Sequence, residues 1–490
     1  MNSRKLFPVT ALALAMALAV HADNSSSPSD DDYWVTRAED SQPSGKGKTV
    51  HGIEYLFRVK VKPSESKRIL GISGIRYNPK TEKIILVSDD TGIKETPYGQ
   101  GKARYYEIPR DKILNIDQPA VARNFDTASV NEVELKHGER TSQWLNDGHV
   151  DLEGVEIMKD GRLIMASEQG AAGPFYWSWK WSYGLIPFPI FWNPNKPDWA
   201  VKPKLLIVDD KNGTNSASLH LPYYYQNTGW YFDYGVRRNK GIEAITRMVD
   251  NDSQAESKLD VESQAFMVMT ETALAQDEQA WSLASRSGPA PCRMLFFSLD
   301  ELTNKGGGRV GAAAKAAHVE PYSELLYQIT HLSETLTDGA RPGYPKQGVS
   351  DAKSVSQEKV LVLERSYVKY SDEGKKPHSV ARIYIADIRT GHNVNGVDNW
   401  PFENQDEVIP GGVKEIANMD LVEKKPLFDS VDFEHIVTDL ARQNIEGMEL
   451  IPLGNDQQLL VLVNDGDASS SPPESTYLTF FLVPNALLKE

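Results

Sequence analysis

Apolar and polar residues alternate along this chain in short runs that end on a carboxylate, and the arrangement recurs five times. The copies are GISGIRYNPKTEKIILVSDD (71–90), DLEGVEIMKDGRLIMASEQ (151–169), NKGIEAITRM with AFMVMTE (239–271), GVSDAKSVSQEKVLVLER (348–365) and NIEGMELIPLGNDQQLLVLVND (444–465). Each reads as a strand, a polar turn, an apolar strand and an acidic end. Ser73, Glu153, Glu243, Ser350 and Glu446 share the entry position, and Asp89, Glu168, Glu271, Glu364 and Asp465 share the exit. A long-period repeat of hairpins points to radial repetition, and hence to an all-β propeller.

A third strand of alternating aromatic and aliphatic residues follows most hairpins: ARYYEI (103–108), CRMLFFSL (292–299), ARIYIADI (381–388) and TYLTFFLV (476–483). These fit the outer strands of blades. YLFRVKV (55–61) has no hairpin partner, and is expected to close the ring by joining a blade made from the C-terminal segment. Segments 110–145 and 389–440 hold enough chain for one divergent blade, so six blades are expected.

Antiparallel strands joined by a short turn bring the start of the first beside the end of the second. Five hairpins around one axis therefore deliver entry and exit residues to a single rim. Eight of those ten positions are acidic. Carboxylates ~6 Å apart repel by roughly 3 kcal/mol per pair at an effective dielectric of ~20. Such a rim must bind cations, retain protons or be spread widely in water. Oxygen ligands suit Ca²⁺. Zinc is disfavoured, because the ten His are scattered with no pair at a ligand spacing.

Lys240 precedes Glu243, and Arg365 follows Glu364. Both are donors that a phosphate or carboxylate substrate needs, and both are equally suited to neutralising the rim. No GxSxG elbow is present, so a serine triad has no support.

Residues 1–22 carry Arg4 and Lys5, then an apolar run and small residues before Asp23. They read as a secretory signal peptide cleaved after Ala22, and imply a periplasmic or secreted protein without an integral membrane segment after cleavage. Losing Arg4 and Lys5 takes the formal charge from −15 to −17. So acidic a chain is a poor nucleic-acid binder. A single cysteine, Cys292, excludes an internal disulfide framework and a thiolate cluster. Residues 23–48 read as a disordered polar leader, and 49–490 as one propeller domain.

Two insertions are aromatic. Residues 174–200 hold five of the ten tryptophans, among them Trp177, Trp179 and Trp181, and YYYQNTGWYFDYG runs over 223–235. They form either a lid or contact surface for a ligand, or long loops that pack their own rings against the propeller.

SGI followed by SDD, DLEG followed by SE, NKGIE, LVLER, and NIEG followed by ND together resemble the phytase-like family, described as "esterase-like activity of phytase", over roughly 50–485. The resemblance implies a propeller, export and calcium-dependent phosphoesterase activity. It also implies a site at Asp89, Glu153, Glu168, Lys240, Glu243, Glu271, Glu364, Arg365, Glu446 and Asp465. Departures are IEAI, where the family more often has Gly after Glu, and Gln169, where a second acid is common. Three functions fit: a Ca²⁺-dependent phosphoesterase with Glu243, Lys240 and Arg365 as catalytic groups, a lactonase or carboxylesterase on a Ca²⁺-binding propeller, and a non-catalytic propeller that binds through Trp177, Trp179 and Trp181. The first two take a small phosphoester or ester as substrate.

Overall fold

The computed structural model describes residues 48–61, 69–89, 103–114, 130–137, 151–168, 203–209, 211–225, 235–236, 240–249, 265–283, 288–298, 317–331, 340–341, 347–370, 378–395, 419–437, 439–440, 443–454, 456–466 and 475–489. The expected signal peptide, nearly all of the leader, and Trp177, Trp179 and Trp181 lie outside the described residues.

Strands β1 (Lys48–Val50) and β2 (Ile53–Lys60) come first among the described residues and belong to the last blade. Blade 1 is β3 (Ile72–Asn78), β4 (Lys83–Ser88), β5 (Arg104–Pro109) and β6 (Asn131–Glu134). A short β7 (Lys136–His137) crosses to blade 2, which is β8 (Leu152–Ile157), β9 (Leu163–Ser167), β10 (Lys204–Val208) and β11 (Thr214–His220). Blade 3 is β12 (Ile242–Arg247), β13 (Ala265–Thr270) and β14 (Cys292–Ser298), with β16 (Ser323–Tyr327) outermost, while β15 (Ala317–His318) pairs with β11 of blade 2. Blade 4 is β18 (Gln347–Ser354), β19 (Lys359–Tyr370), β20 (His378–Asp387) and β21 (Glu423–Asp429), with β17 (Ala340–Arg341) also on β19. Blade 5 is β22 (Ile445–Gly454), β23 (Gln457–Asn464) and β24 (Tyr477–Pro484), completed by β2 and β1.

The closing strand is where the sequence places it. Antiparallel pairing of β2 with β24 runs from Glu54↔Leu482 to Lys60↔Tyr477. The blade count differs from the expectation: there are five, not six. The spare segments supply outer strands instead, β6 from the first and β21 from the second. β6 is largely exposed, and of the seven residues of β21 only Phe428 is buried, in the cluster between blades 4 and 5, so neither builds a separate sheet.

Packing gives the same number. Each sheet buries both faces, and alternate residues of one strand serve opposite neighbours. On β9, Leu163 and Met165 join a cluster with Val87 and Tyr105 of blade 1, while Ile164 and Ala166 join Ile245 and Phe266 of blade 3. Further clusters fill the remaining junctions: 3 with 4 (Met267, Val362), 4 with 5 (Leu363, Phe481) and 5 with 1 (Val461, Ile75). Five junctions, each with its own apolar cluster, close the ring.

The channel inside the ring is filled at mid-depth. Arg76, fully buried on β3, donates to Glu156 Oε2 (3.3 Å) of blade 2 and Ile245 O (2.6 Å) of blade 3. It also reaches Asp351 Oδ2 and Oδ1 (3.0 and 2.9 Å) and Ala352 O (2.8 Å) of blade 4, and Met448 O (3.1 Å) of blade 5. One guanidinium thus bonds to all the other blades, using donors that a planar fork holds in fixed directions.

Candidate metal centre

Every innermost strand carries a register shift at the same place: between Ile72 and Gly74, Leu152 and Gly154, Ile242 and Ala244, Val349 and Asp351, and Ile445 and Gly447. The extra residues are Ser73, Glu153, Glu243, Ser350 and Glu446, the five entry positions. A bulge re-aims a side chain out of the regular pleat. All five are at least nine-tenths buried. The backbones here are too close for ordinary side chains: a Cβ on Gly154 would stand 2.7 Å from the Glu243 carbonyl oxygen. Ala244, the departure from the family's Gly, is accommodated with full burial.

The exit residues follow from the pairing. Asp89, Glu168, Glu271 and Asp465 donate their N–H groups to Gly71, Asp151, Gly241 and Asn444, the residues two before each entry position. In blade 4 the residue two before Ser350 is Gly348, and it pairs with Arg365. Arg365, not Glu364, therefore holds the fourth exit position. Glu364 is one residue off register and points to the other face, where it accepts from Tyr327 Oη (2.7 Å), Thr330 N (3.0 Å) and Lys424 Nζ (2.5 Å). The structure separates Glu364 from the rim.

The remaining predicted acids converge. Carboxylate oxygens of Asp89, Glu446 and Asp465 lie within 4.8 Å of one another, as do those of Asp151, Glu153 and Glu168, and those of Glu168, Glu243 and Glu271. Asp151 was not among the sequence candidates.

The chain's own donors are distributed unevenly. Lys240 Nζ is bonded to Glu271, and Arg365 to Glu446 and, at 3.5 Å, to Glu271. Asn444 Nδ2 donates to Glu446 (2.7 Å) and Asp465 (3.2 Å), and its Oδ1 accepts from Arg365 (3.1 Å). Glu168 accepts the Gly241 N–H at 2.7 Å, and a Cβ there would lie 2.4 Å from the Glu168 carbonyl oxygen. Among the described residues no hydrogen-bond donor reaches the carboxylates of Glu153 or Glu243, although these are 7% and 6% exposed.

Burial, then Glu243, Asp151, Glu168 and Asp89, push the Glu153 pKa well above the carboxylate range. Burial, Glu271 and Glu168 raise Glu243, against Arg365 and Lys240. Burial, Glu271 and Asp151 raise Glu168, against the Gly241 N–H and Lys240. A buried carboxylate without a donor must hold a proton or a cation.

The donor set fits Ca²⁺. It is all oxygen, and oxygens sharing one ion at about 2.4 Å are separated by at most about 4.8 Å. Cys292 is buried elsewhere, against the Tyr327 carbonyl.

A family model described as "Phytase-like: Esterase-like activity of phytase" matches residues 67–468. The chain belongs to the phytase-like family. No curated protein matches it. This phytase-like propeller is similar to a Dyadobacter fermentans protein of unknown function at 9% identity and TM-score 0.31, covering 89% of this chain and 100% of that one. It is also similar to Drosophila Semaphorin 1a extracellular domains 1-2 at 8% identity and TM-score 0.30, covering 87% and 88%.

In the phytase-like chain the second aromatic stretch begins as packing. Tyr224 and Tyr225 both donate to the buried Glu324, which also accepts from Arg293 Nη1 (2.9 Å), and Arg293 in turn grips Asp277 (2.7 and 2.8 Å). Among the described residues, no helix is long and apolar enough to cross a membrane.

Proposed function

We propose that this phytase-like propeller is a Ca²⁺-dependent phosphoesterase whose ion lies at the acidic rim, on the side of Glu153, Glu168 and Glu243. The observation that carries the reading is a pair of buried carboxylates, Glu153 and Glu243, that no hydrogen-bond donor among the described residues reaches. Together with Glu168 they offer charge that only a cation or protons offset. When bound, the ion supplies charge that polarises the ester and activates water.

The chain's own residues do the rest. Bulges hold Glu153 and Glu243 at the rim, and the pairing of Glu168 with Asp151 brings the third carboxylate beside them. Lys240 and Arg365 brace Glu271 and Glu446, and are only partly exposed. Arg76 fills the channel below the rim. Glu243 holds the cation, and Lys240, whose ammonium stands on Glu271, contacts a phosphate oxygen.

One observation favours a second reading. Both Lys240 and Arg365 are already bonded to rim carboxylates, so cation-assisted hydrolysis of a carboxylic ester or lactone needs no further donor from them. Hydrolysis of a phosphomonoester, a phosphodiester, a lactone and an aryl ester, each with Ca²⁺ and with chelator, separates the readings. Ca²⁺-dependent phosphate release supports the first. Lactone or aryl-ester turnover alone supports the second, and no turnover of any ester favours a binding propeller. Export is part of the proposal, on residues 1–22, and a mature N-terminus at Asp23 tests it.

A further inference from the structure

The rim has two lobes, and they are not equivalent. On the side of blades 5 and 1 stand Asp89, Glu446 and Asp465; on the side of blades 2 and 3 stand Asp151, Glu153, Glu168, Glu243 and Glu271. The two lobes are bridged by a cation the chain supplies itself. Arg365 occupies the exit position that is a carboxylate in the other four blades, and bonds Glu446 on one side and Glu271 on the other. Burial opposes its charge, but Glu271, Glu243, Asp465 and Glu153 more than offset this, and its pKa is raised. Asn444 adds its amide to Glu446 and Asp465. In the first lobe Glu446 thus takes a guanidinium and an amide, and Asp465 takes the amide. In the second, Glu153 and Glu243 are buried with no donor among the described residues.

We propose that Arg365 is the resident cation of the rim: it fills the place of an ion at Asp89, Glu446 and Asp465, and confines exchangeable divalent-cation binding to the lobe of Glu153, Glu168 and Glu243. The proposal rests on the cation reading above and names which carboxylates carry it. A guanidinium cannot exchange or lose its charge, so it fixes the number of ions the rim takes. Removing it leaves three converging carboxylates with one positive neighbour fewer, which is a new oxygen site for a hard cation.

Equilibrium dialysis against Ca²⁺, with the bound ion counted by elemental analysis, tests this on the full chain. Arg365→Met is expected to bind one ion more than the wild type, Arg365→Lys the same number, and Asp465→Asn in the Arg365→Met background to return to the wild-type number. In the otherwise wild-type chain, Glu243→Gln should weaken binding and Asp465→Asn should leave it unchanged. A folded Arg365→Met protein with the wild-type number of ions overturns the proposal. If Arg365→Met does not fold, loss of an ion in Asp465→Asn overturns it instead. A wild-type protein that binds no ion removes the cation reading itself, an outcome distinct from both.

Discussion

Arg76 of blade 1 and Asp351 of blade 4 meet inside the channel through two hydrogen bonds of 3.0 and 2.9 Å, with both side chains almost wholly buried. Asp351 stands where the other innermost strands carry Gly74, Gly154, Ala244 and Gly447, so blade 4 alone places a carboxylate at this position of its innermost strand. Asp351 also accepts the Met448 N–H at 2.9 Å, which ties blade 5 to the same pair. Replacing Arg76 with Met leaves that carboxylate buried and uncompensated, at a cost of about 3–5 kcal/mol. Arg76→Met with Asp351→Leu should recover a large part. Urea unfolding of the two single variants and the double variant measures both, and a double-variant loss equal to the sum of the single losses would show that the pair is not coupled.

Glu153, Glu168 and Glu243 set a pH dependence. Their folded-state pKa values lie above the ordinary value of 4.5, chiefly through burial and then through one another. The folded chain therefore holds protons that the unfolded chain has released, and stability from these groups falls as pH rises above 4.5 toward the raised folded values. In chelator, Glu153→Gln with Glu243→Gln should gain stability over the wild type at pH 8 and show little difference near pH 4. Melting at the two pH values reads this, and a difference independent of pH would refute it.

Saturating Ca²⁺ should reverse the deficit at neutral pH. Free ion at a hundredfold above its dissociation constant adds about 2.7 kcal/mol if it binds only the folded state. The expected rise in melting temperature should vanish in the Glu153→Gln, Glu243→Gln protein.

Lys240→Met takes a positive charge from beside Glu271 and the shared Glu168–Glu243–Glu271 triad. Ca²⁺ should then bind more tightly, by about tenfold, because a like charge near the ion is gone. Phosphoester turnover should fall. Titration calorimetry checks the first outcome; weaker binding would mean that Lys240 serves mainly to position Glu271.

Gly154→Ala brings a methyl group to 2.7 Å from the Glu243 carbonyl oxygen. Overpacking of this kind costs about 1–3 kcal/mol. Because the clash falls between the neighbour of Glu153 and the backbone of Glu243, Ca²⁺ affinity should drop with stability. Chemical unfolding and calcium titration of the same variant test the two effects together.

The hairpins, their entry residues and the closing strand were legible because nearly unbroken apolar runs such as IILVS and LIMAS report burial on both faces. The number of blades was not. NEVE is mostly exposed and EKKPLFD buries only Phe428 outright, so neither outer strand leaves an apolar alternation that says which sheet it joins. Glu364 was misplaced by matching carboxylate to carboxylate. The row facing the next blade runs Leu361, Leu363, Arg365, as Val461 and Val463 run to Asp465 in blade 5. Following the row instead of the charge puts Arg365 at the rim. Asp151 had a signal too: it pairs with an exit residue, so its place two before Glu153 brings it to the same edge. The contacts of Arg76 had none, since its partners lie in four other blades and no local pattern links them.

Pairing β2 with β24 joins residues more than four hundred positions apart, and this sets an order of events for folding. Local hairpins such as β3–β4 form at little loop-closure cost, but the last sheet cannot assemble until both remote segments are present. Until then the apolar rows of Ile75 and Val461, which meet at that junction, stay open to solvent or to another chain. Ring closure is therefore the expected slow step, and incomplete chains that lack β24 are the species most exposed to aggregation.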